Sequence, residues 1–285
     1  MTNIIIADPH GFCFGITRAI EIAKNTAKKY NKPIFFLGEL VHNQHVVDWL
    51  ESELKIKTVL SLTEIPKNSV VIIRAHGATP QIFQQAKDLG LEIVDATCPL
   101  VLKSHQTVRD LSAQKKHIIF LCNKIDHDET IGVVGEASDF IIPLTLKDIL
   151  NFEIENSQNT VIITQTTLSI TETQTTLEII KNKYPQITII PHICQATTDR
   201  QNIVIDLASK YKFVIIVGSP TSANSNSLKQ VATSSGAIAY IVDNAAELNS
   251  NWFVNQENII ISSGASTPEI ILEEVINKIK EITHQ

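Results

Sequence analysis

Short runs rich in β-branched residues alternate with amphipathic stretches along the whole chain, and that alternation constrains the fold more than any other feature. Runs at 34–37, 70–74, 92–95, 117–121, 161–164, 187–190, 213–217, 239–242 and 258–262 are predicted strands, with a further one inside 1–13. Between them, 17–29, 44–54, 80–89, 100–115, 171–183, 199–210, 225–235 and 268–280 carry helical periodicity. Strands separated by helices point to an α/β protein with largely parallel sheets. In such sheets ligands collect just beyond the carboxyl ends of the strands.

Three cysteines exploit that position. Cys13, Cys98 and Cys194 stand at nearly even intervals, and each closes an apolar run: Ile4-Ile5-Ile6, Glu92-Ile93-Val94-Asp95 and Ile187-Thr188-Ile189-Ile190 lie just ahead of them. The spacing predicts three similar α/β lobes, 14–97, 98–193 and 194–285, in a pseudo-threefold arrangement with the cysteines near a shared centre. The N-terminal strand, within 1–13, is expected to join the last lobe, which otherwise has fewer strands. Thiolates hold iron–sulfur clusters, and thiolates with imidazoles hold zinc. A small buried hydrophobe at a strand end is the bland alternative for a lone cysteine, but the same context three times over favours a ligand set. Cys122 directly continues an apolar strand and reads as core packing.

Composition narrows the class. The chain has 285 residues, 44% hydrophobic and 19% charged, with a formal charge of −6. That is an ordinary soluble balance, and it argues against a nucleic-acid partner, which calls for a basic stripe. No apolar run is long enough to span a membrane, and no secretory leader is visible, so the expected compartment is the cytoplasm.

Polar clusters follow the strands. His42 and His76 sit just past 34–37 and 70–74, and Ser/Asn-rich loops at 218–227 and 262–267 each enter a helix. Hydroxyls, loop amides and a helix N-terminus suit a phosphate, with ordinary capping as the alternative. No Walker or dinucleotide fingerprint is present, so a nucleotide is not indicated. His127 and Glu129 form an acid/base candidate, although Asp126-His127-Asp128-Glu129 could equally be a solvated acidic turn. Thr166 or Thr167 could relay a proton or hold a substrate hydroxyl.

These residues resemble a known family. His10-Gly11-Phe12-Cys13-Phe14-Gly15, Leu40-Val41-His42-Asn43, Ala75-His76-Gly77 and Asp95-Ala96-Thr97-Cys98-Pro99-Leu100-Val101 are similar to motifs of the 4-hydroxy-3-methylbut-2-enyl diphosphate reductases. So are Thr164-Gln165-Thr166-Thr167-Leu168-Ser169, Ile193-Cys194-Gln195-Ala196-Thr197-Thr198-Asp199-Arg200-Gln201 and Gly264-Ala265-Ser266. The motifs run in order over nearly the whole chain.

The resemblance implies a trefoil of three α/β lobes around a 4Fe-4S cluster. Cys13, Cys98 and Cys194 would be its ligands, with the fourth iron open to substrate. It implies the last step of the methylerythritol phosphate route: reductive removal of an allylic hydroxyl to give isopentenyl and dimethylallyl diphosphate. Electrons would come from a ferredoxin or flavodoxin. His42, His76, Ser222, Ala223, Asn224 and Ser266 would hold the diphosphate, Ala223 through its backbone N–H. His127, Thr166 and Thr167 would surround the hydroxyl end, and Glu129 would deliver the proton.

Two departures stand out. Ala223 replaces the second of two adjacent serines often found in the diphosphate loop. In the segment written Gly-His-x-x-His-Pro-Glu in the family, Lys124 stands for the first histidine and Asp128 for the proline. Rival readings of the same residues are a zinc-dependent hydrolase and a non-catalytic iron–sulfur sensor of a phosphorylated metabolite.

Overall fold

In the computed structural model, which describes residues 2–137 and 139–284, the chain begins with β1 (Asn3–Ile6) and α1 (Phe14–Lys29). There follow β2 (Ile34–Leu37), α2 (Gln44–Leu54), β3 (Lys57–Val59), β4 (Val70–Ile73), α3 (Pro80–Asp88), β5 (Glu92–Asp95) and α4 (Pro99–Ala113). The next stretch is β6 (His117–Cys122), α5 (Asp128–Val134), β7 (Ile141–Thr145), β8 (Thr160–Thr164), α6 (Ile170–Lys183), β9 (Thr188–Ile190) and α7 (Gln195–Tyr211). The chain ends with β10 (Phe213–Val217), α8 (Ala223–Ser234), β11 (Ile238–Val242), β12 (Asn258–Ser263) and α9 (Glu269–Ile282).

The strands form three four-stranded sheets in which every pairing is parallel. Two have the orders β3-β2-β4-β5 and β7-β6-β8-β9. Within each, the sequence of strands in space is second, first, third, fourth. The remaining sheet, β11-β10-β12-β1, repeats that order with the N-terminal strand in fourth place, Asn3–Ile6 lying in register with residues 258–261. The chain thus builds one topology three times.

The described residues divide into two compact units. One takes in the N-terminal segment through Phe14, His42–Val46 and the chain from Gln195 onward, and it contains the sheet β11-β10-β12-β1. The other, Gly15–Val41 with Val47–Cys194, contains the other two sheets.

Central strands are apolar on both faces, as parallel strands covered by helices must be. Along β10, Val214 and Ile216 pack with Val204, Leu228 and Val231, while Phe213, Ile215 and Val217 pack with Leu272, Val275 and Ile279. Along β6, Ile118, Phe120 and Cys122 join Val108 and Val133, and Ile119 and Leu121 face Leu168 and Ile180. Cys122 is therefore a core residue, fully buried, and burial pushes its thiol up to about 11.

Two strands escape the sequence signal, and both lie at sheet edges. Lys57-Thr58-Val59 is short and polar at its start, and β7 contains Pro143, which only an edge strand tolerates. The short helix α5 is likewise new, its Asp-Glu first turn fitting a helix N-terminus. Among the described residues no helix is long and apolar enough to cross a membrane.

A thiol this buried and this hard to ionise should be unreactive. Brief alkylation of the native protein with iodoacetamide at pH 8, read by peptide mass spectrometry, is expected to leave Cys122 unmodified and to label it only after unfolding.

Candidate active site

In each sheet the first and third strands lie side by side, and the chain order reverses between them, which is where α/β sheets place their ligands. His42 follows β2 and His76 follows β4; His127 and Glu129 follow β6 and Thr166 follows β8; Ser222 and Asn224 follow β10 and Ser266 follows β12. Every residue expected to contact substrate leaves from such a point.

In the unit with two sheets, an acid is assembled. His127 caps α5, its Nδ1 accepting the Glu129 N–H at 3.1 Å. A backbone N–H can only donate, so Nδ1 bears no proton and the ring hydrogen sits on Nε2. Gln165 supports this: its Oε1 accepts the Asn123 N–H at 2.8 Å, turning Nε2 toward His127 Nδ1 at 3.2 Å. His76 stands edge-on to His127, ring centroids 5.6 Å apart.

Glu129 is 1% exposed. The Thr166 N–H donates to its Oε1 and the Thr166 hydroxyl to its Oε2, each at 2.8 Å. Burial pushes this carboxyl above its ordinary range; the two Thr166 bonds, the charge at His105 and the Gln165 amide oppose the shift without cancelling it. Glu129 thus holds a proton at a higher pH than a free glutamate, and a threonine hydroxyl can take that proton and pass on its own. The solvated-turn alternative fails for Glu129. Its neighbour Asp128 is held by Arg74 at 2.7 Å, and Asp126 and Lys124 face solvent. Thr167 follows Thr166 in the same turn.

Residues that sequence reasoning left without a role support this acid. Gln165 lies inside a recognised motif, but only the structure reveals that it fixes the His127 tautomer. On α4, His105 Nδ1 and Arg109 Nη1 share Glu136 Oε1, at 2.6 and 2.8 Å. Burial pushes Glu136 up, but the bonds and charges of His105 and Arg109 outweigh it and hold the carboxyl below its usual range. Gly77, beside His76, has φ +80°, and a Cβ there would lie 2.8 Å from His105 Nε2, so only glycine fits.

In the other unit the loops after β10 and β12 gather hydrogen-bonding groups. Ser222 caps α8, its hydroxyl accepting from Ser225 N. Ala223 opens the helix, so its N–H is among the first-turn amides that lack an intrahelical acceptor. The missing serine hydroxyl therefore leaves that amide in place. Asn224 Oδ1 accepts the Ala265 N–H at 3.0 Å and its Nδ2 donates to Thr197, which braces the loop. Ser266 donates to the His42 carbonyl at 3.3 Å. Hydroxyls beside a helix N-terminus favour an anion.

The cysteines occupy equivalent places. Cys13, Cys98 and Cys194 follow the fourth-place strands β1, β5 and β9 and directly precede α1, α4 and α7. All three are half-buried. Their N–H groups donate to the Ala265, Ala75 and Thr166 carbonyls, at 3.0, 2.9 and 3.0 Å. Each acceptor is in the loop after the third strand of the same sheet, beside Ser266 and His76 or at Thr166 itself. Thiolate is the form that ligates iron, and Cys122, buried and hard to ionise, is unsuited to it. Three equivalent thiols and a silenced fourth fit a cluster with three protein ligands.

The LytB protein family matches residues 4–280. The chain is 38% identical over 286 residues to the 4-hydroxy-3-methylbut-2-enyl diphosphate reductase of Methylococcus capsulatus, covering 98% of this chain and 90% of that relative. The reductase of the same name from Haemophilus ducreyi is 39% identical over 280 residues, covering 96% and 88%. The solved structure of E-1-hydroxy-2-methyl-but-2-enyl-4-diphosphate reductase from Plasmodium falciparum superposes with a TM-score of 0.92 at 32% identity, over 98% of this chain and 88% of that one.

Because folding raises the Glu129 pKa, the protonated form is favoured in the native state. Stability is then fullest below the ordinary carboxylate range and declines as pH rises toward the native value. Glu129→Gln keeps the shape and cannot ionise. It is expected to melt above the parent at pH 8, with the gap closing toward pH 4 in a thermal-melt series.

Proposed function

The chain belongs to the LytB family, and from that premise we propose that it reductively removes the allylic hydroxyl of (E)-4-hydroxy-3-methylbut-2-enyl diphosphate, giving isopentenyl and dimethylallyl diphosphate. This is the terminal step of the methylerythritol phosphate route, carried out in the reducing cytoplasm with a ferredoxin or flavodoxin as electron donor. The observation that carries the reading is the buried Glu129 carboxyl, hydrogen-bonded to Thr166 and biased toward its protonated form.

Cys13, Cys98 and Cys194 would hold a 4Fe-4S cluster, which when bound would supply electrons one at a time and a Lewis acid.

The remaining roles follow from the side chains. With Glu129 protonated on Oε2, the 2.8 Å contact to Thr166 Oγ1 runs the other way: the carboxyl donates to Oγ1, and the Thr166 hydroxyl hydrogen turns to the departing oxygen. That oxygen leaves as water while Thr166 takes the Glu129 proton. Two electrons and a second proton, added to the carbon skeleton, complete the balance. His127 presents its Nε2–H as a donor, since Nδ1 is occupied by the Glu129 N–H. His42, His76, Thr167, Ser222, Asn224, Ser266 and the Ala223 N–H bind the substrate, Asn224 also bracing the loop that carries Ser266. Holding the diphosphate at a distance from the hydroxyl turns remote binding energy into positioning of the carbinol.

Glu129→Gln, purified anaerobically, is expected to keep its iron and its substrate affinity while turnover with an artificial one-electron donor falls at least about a hundredfold, the scale of a lost general acid. Thr166→Val should lose less, about tenfold to a hundredfold, because water can replace a relay more readily than an acid. Turnover at the parent rate in Glu129→Gln would remove the acid from the reading.

A further inference from the structure

Asp128, which stands where the family segment has a proline, lies between two candidate site residues. It is the first residue of α5, flanked by the capping His127 and by Glu129. Its carboxylate reaches across to another sheet, Oδ2 meeting Arg74 Nη1 at 2.7 Å. Arg74 opens the turn after β4, and its carbonyl accepts the Gly77 N–H at 3.1 Å, so the turn encloses His76. The ion pair thus runs from the sheet β3-β2-β4-β5 to the sheet β7-β6-β8-β9. It ties the His76 turn to the helix start that carries His127 and Glu129. The imidazoles on its two sides are the ones that stand edge-on, 5.6 Å between centroids.

The fold leaves room for this contact. Gly38, in the loop after β2, has φ +72°, and a Cβ there would overlap Arg74 Nη1, the atom that meets Asp128. Burial works against the Arg74 charge, while Asp128 and then Glu39 act to keep it. A carboxylate in the first turn of a helix has an ordinary explanation, its attraction to the helix dipole. That attraction needs no partner on a neighbouring sheet. A proline at the first helical position does something more: its ring holds φ and it has no N–H to satisfy, which fixes how the chain enters the helix. Aspartate lacks that restraint, and an ion pair to the next sheet can supply one.

We infer that Arg74 and Asp128 are positioning residues, whose ion pair takes over the proline's part and fixes His127 against His76 for substrate binding. The inference rests on the substrate-binding roles proposed above for the two histidines.

The test measures kcat and KM of anaerobically purified holoenzyme with (E)-4-hydroxy-3-methylbut-2-enyl diphosphate and an artificial one-electron donor. Asp128→Asn and Arg74→Met are each expected to raise KM at least about threefold, the scale of a partly exposed ion pair. Each should lower kcat by a smaller factor, since Thr166 still holds Glu129. Combined, they should raise KM no further than the worse single variant, because both remove one contact. A helix-dipole role for Asp128 would instead add its effect whatever residue stands at position 74. Proline should rescue: Arg74→Met with Asp128→Pro is expected to show a lower KM than Arg74→Met alone. His127 already has φ −70° and ψ 140°, the extended conformation that a following proline requires.

Single-variant KM rises below about threefold would overturn the inference, as would a kcat loss larger than the KM rise. So would single effects that multiply in the double variant, or a proline variant with a KM no lower than that of Arg74→Met. If Arg74→Met does not yield folded protein, Arg74→Gln takes its place in every comparison. A parent that holds its iron yet turns over no substrate would sink the functional reading and this inference with it. An active parent with unresponsive variants would sink the pair alone.

Discussion

One backbone hydrogen bond, made three times, organises the chemistry of this chain. The N–H of each cysteine ahead of a helix donates to a carbonyl in the loop after the third strand of its own sheet. Each such bond is worth only about 1 kcal/mol net. Its geometric effect is larger, because it ties a metal-ligand candidate to the turn that carries His76, Thr166 or Ser266. The bond is available because all strands run parallel and their order is second, first, third, fourth. That order sends the fourth strand past the third, so their carboxyl-end loops meet. With β1 serving as fourth strand for β10–β12, the third sheet makes the same bond without a fourth strand of its own at the C-terminus.

The acid obeys a different constraint. Glu129 is placed where water cannot solvate its charge, and its two hydrogen bonds to Thr166 offset only part of that burial. Proteins tolerate such sites where chemistry needs them, and a perturbed carboxyl in a buried position is a common mark of function. The neighbouring carboxylates are treated otherwise. Asp128 meets Arg74 at 2.7 Å, and Glu136 meets both Arg109 and His105, whereas the hydrogen bonds to Glu129 come from Thr166. The departure at residue 128 from the family's proline thus carries a partner of its own on β4's following loop.

Much of the fold was legible in the sequence because central parallel strands are apolar on both faces. Ile34–Leu37, Glu92–Asp95 and Phe213–Val217 stand where their letters put them. The edge strands β3 and β7 were hidden, one by its brevity and one by Pro143, since an edge needs less apolar surface and tolerates a missing donor. Helix α5 was hidden for another reason. Its letters, Asp-Glu-Thr-Ile-Gly-Val-Val, mix a charged start with a glycine, and periodicity over so few residues says little. In the candidate site, residue types and their positions after strands could be read directly. The Cys N–H bonds could not, because each depends on a partner tens of residues away and leaves no local pattern. Nor could the His127 tautomer, because it depends on a cap to a helix the letters hid and on Gln165.

The central claim is that three cysteines leave one iron of a 4Fe-4S cluster open to the substrate hydroxyl. Mössbauer spectroscopy of anaerobically purified, iron-57-enriched protein, with and without the diphosphate substrate, tests it most directly. One iron site is expected to stand apart from the rest, its isomer shift alone changing when substrate is added. Four irons in equivalent environments, unaltered by substrate, would contradict it.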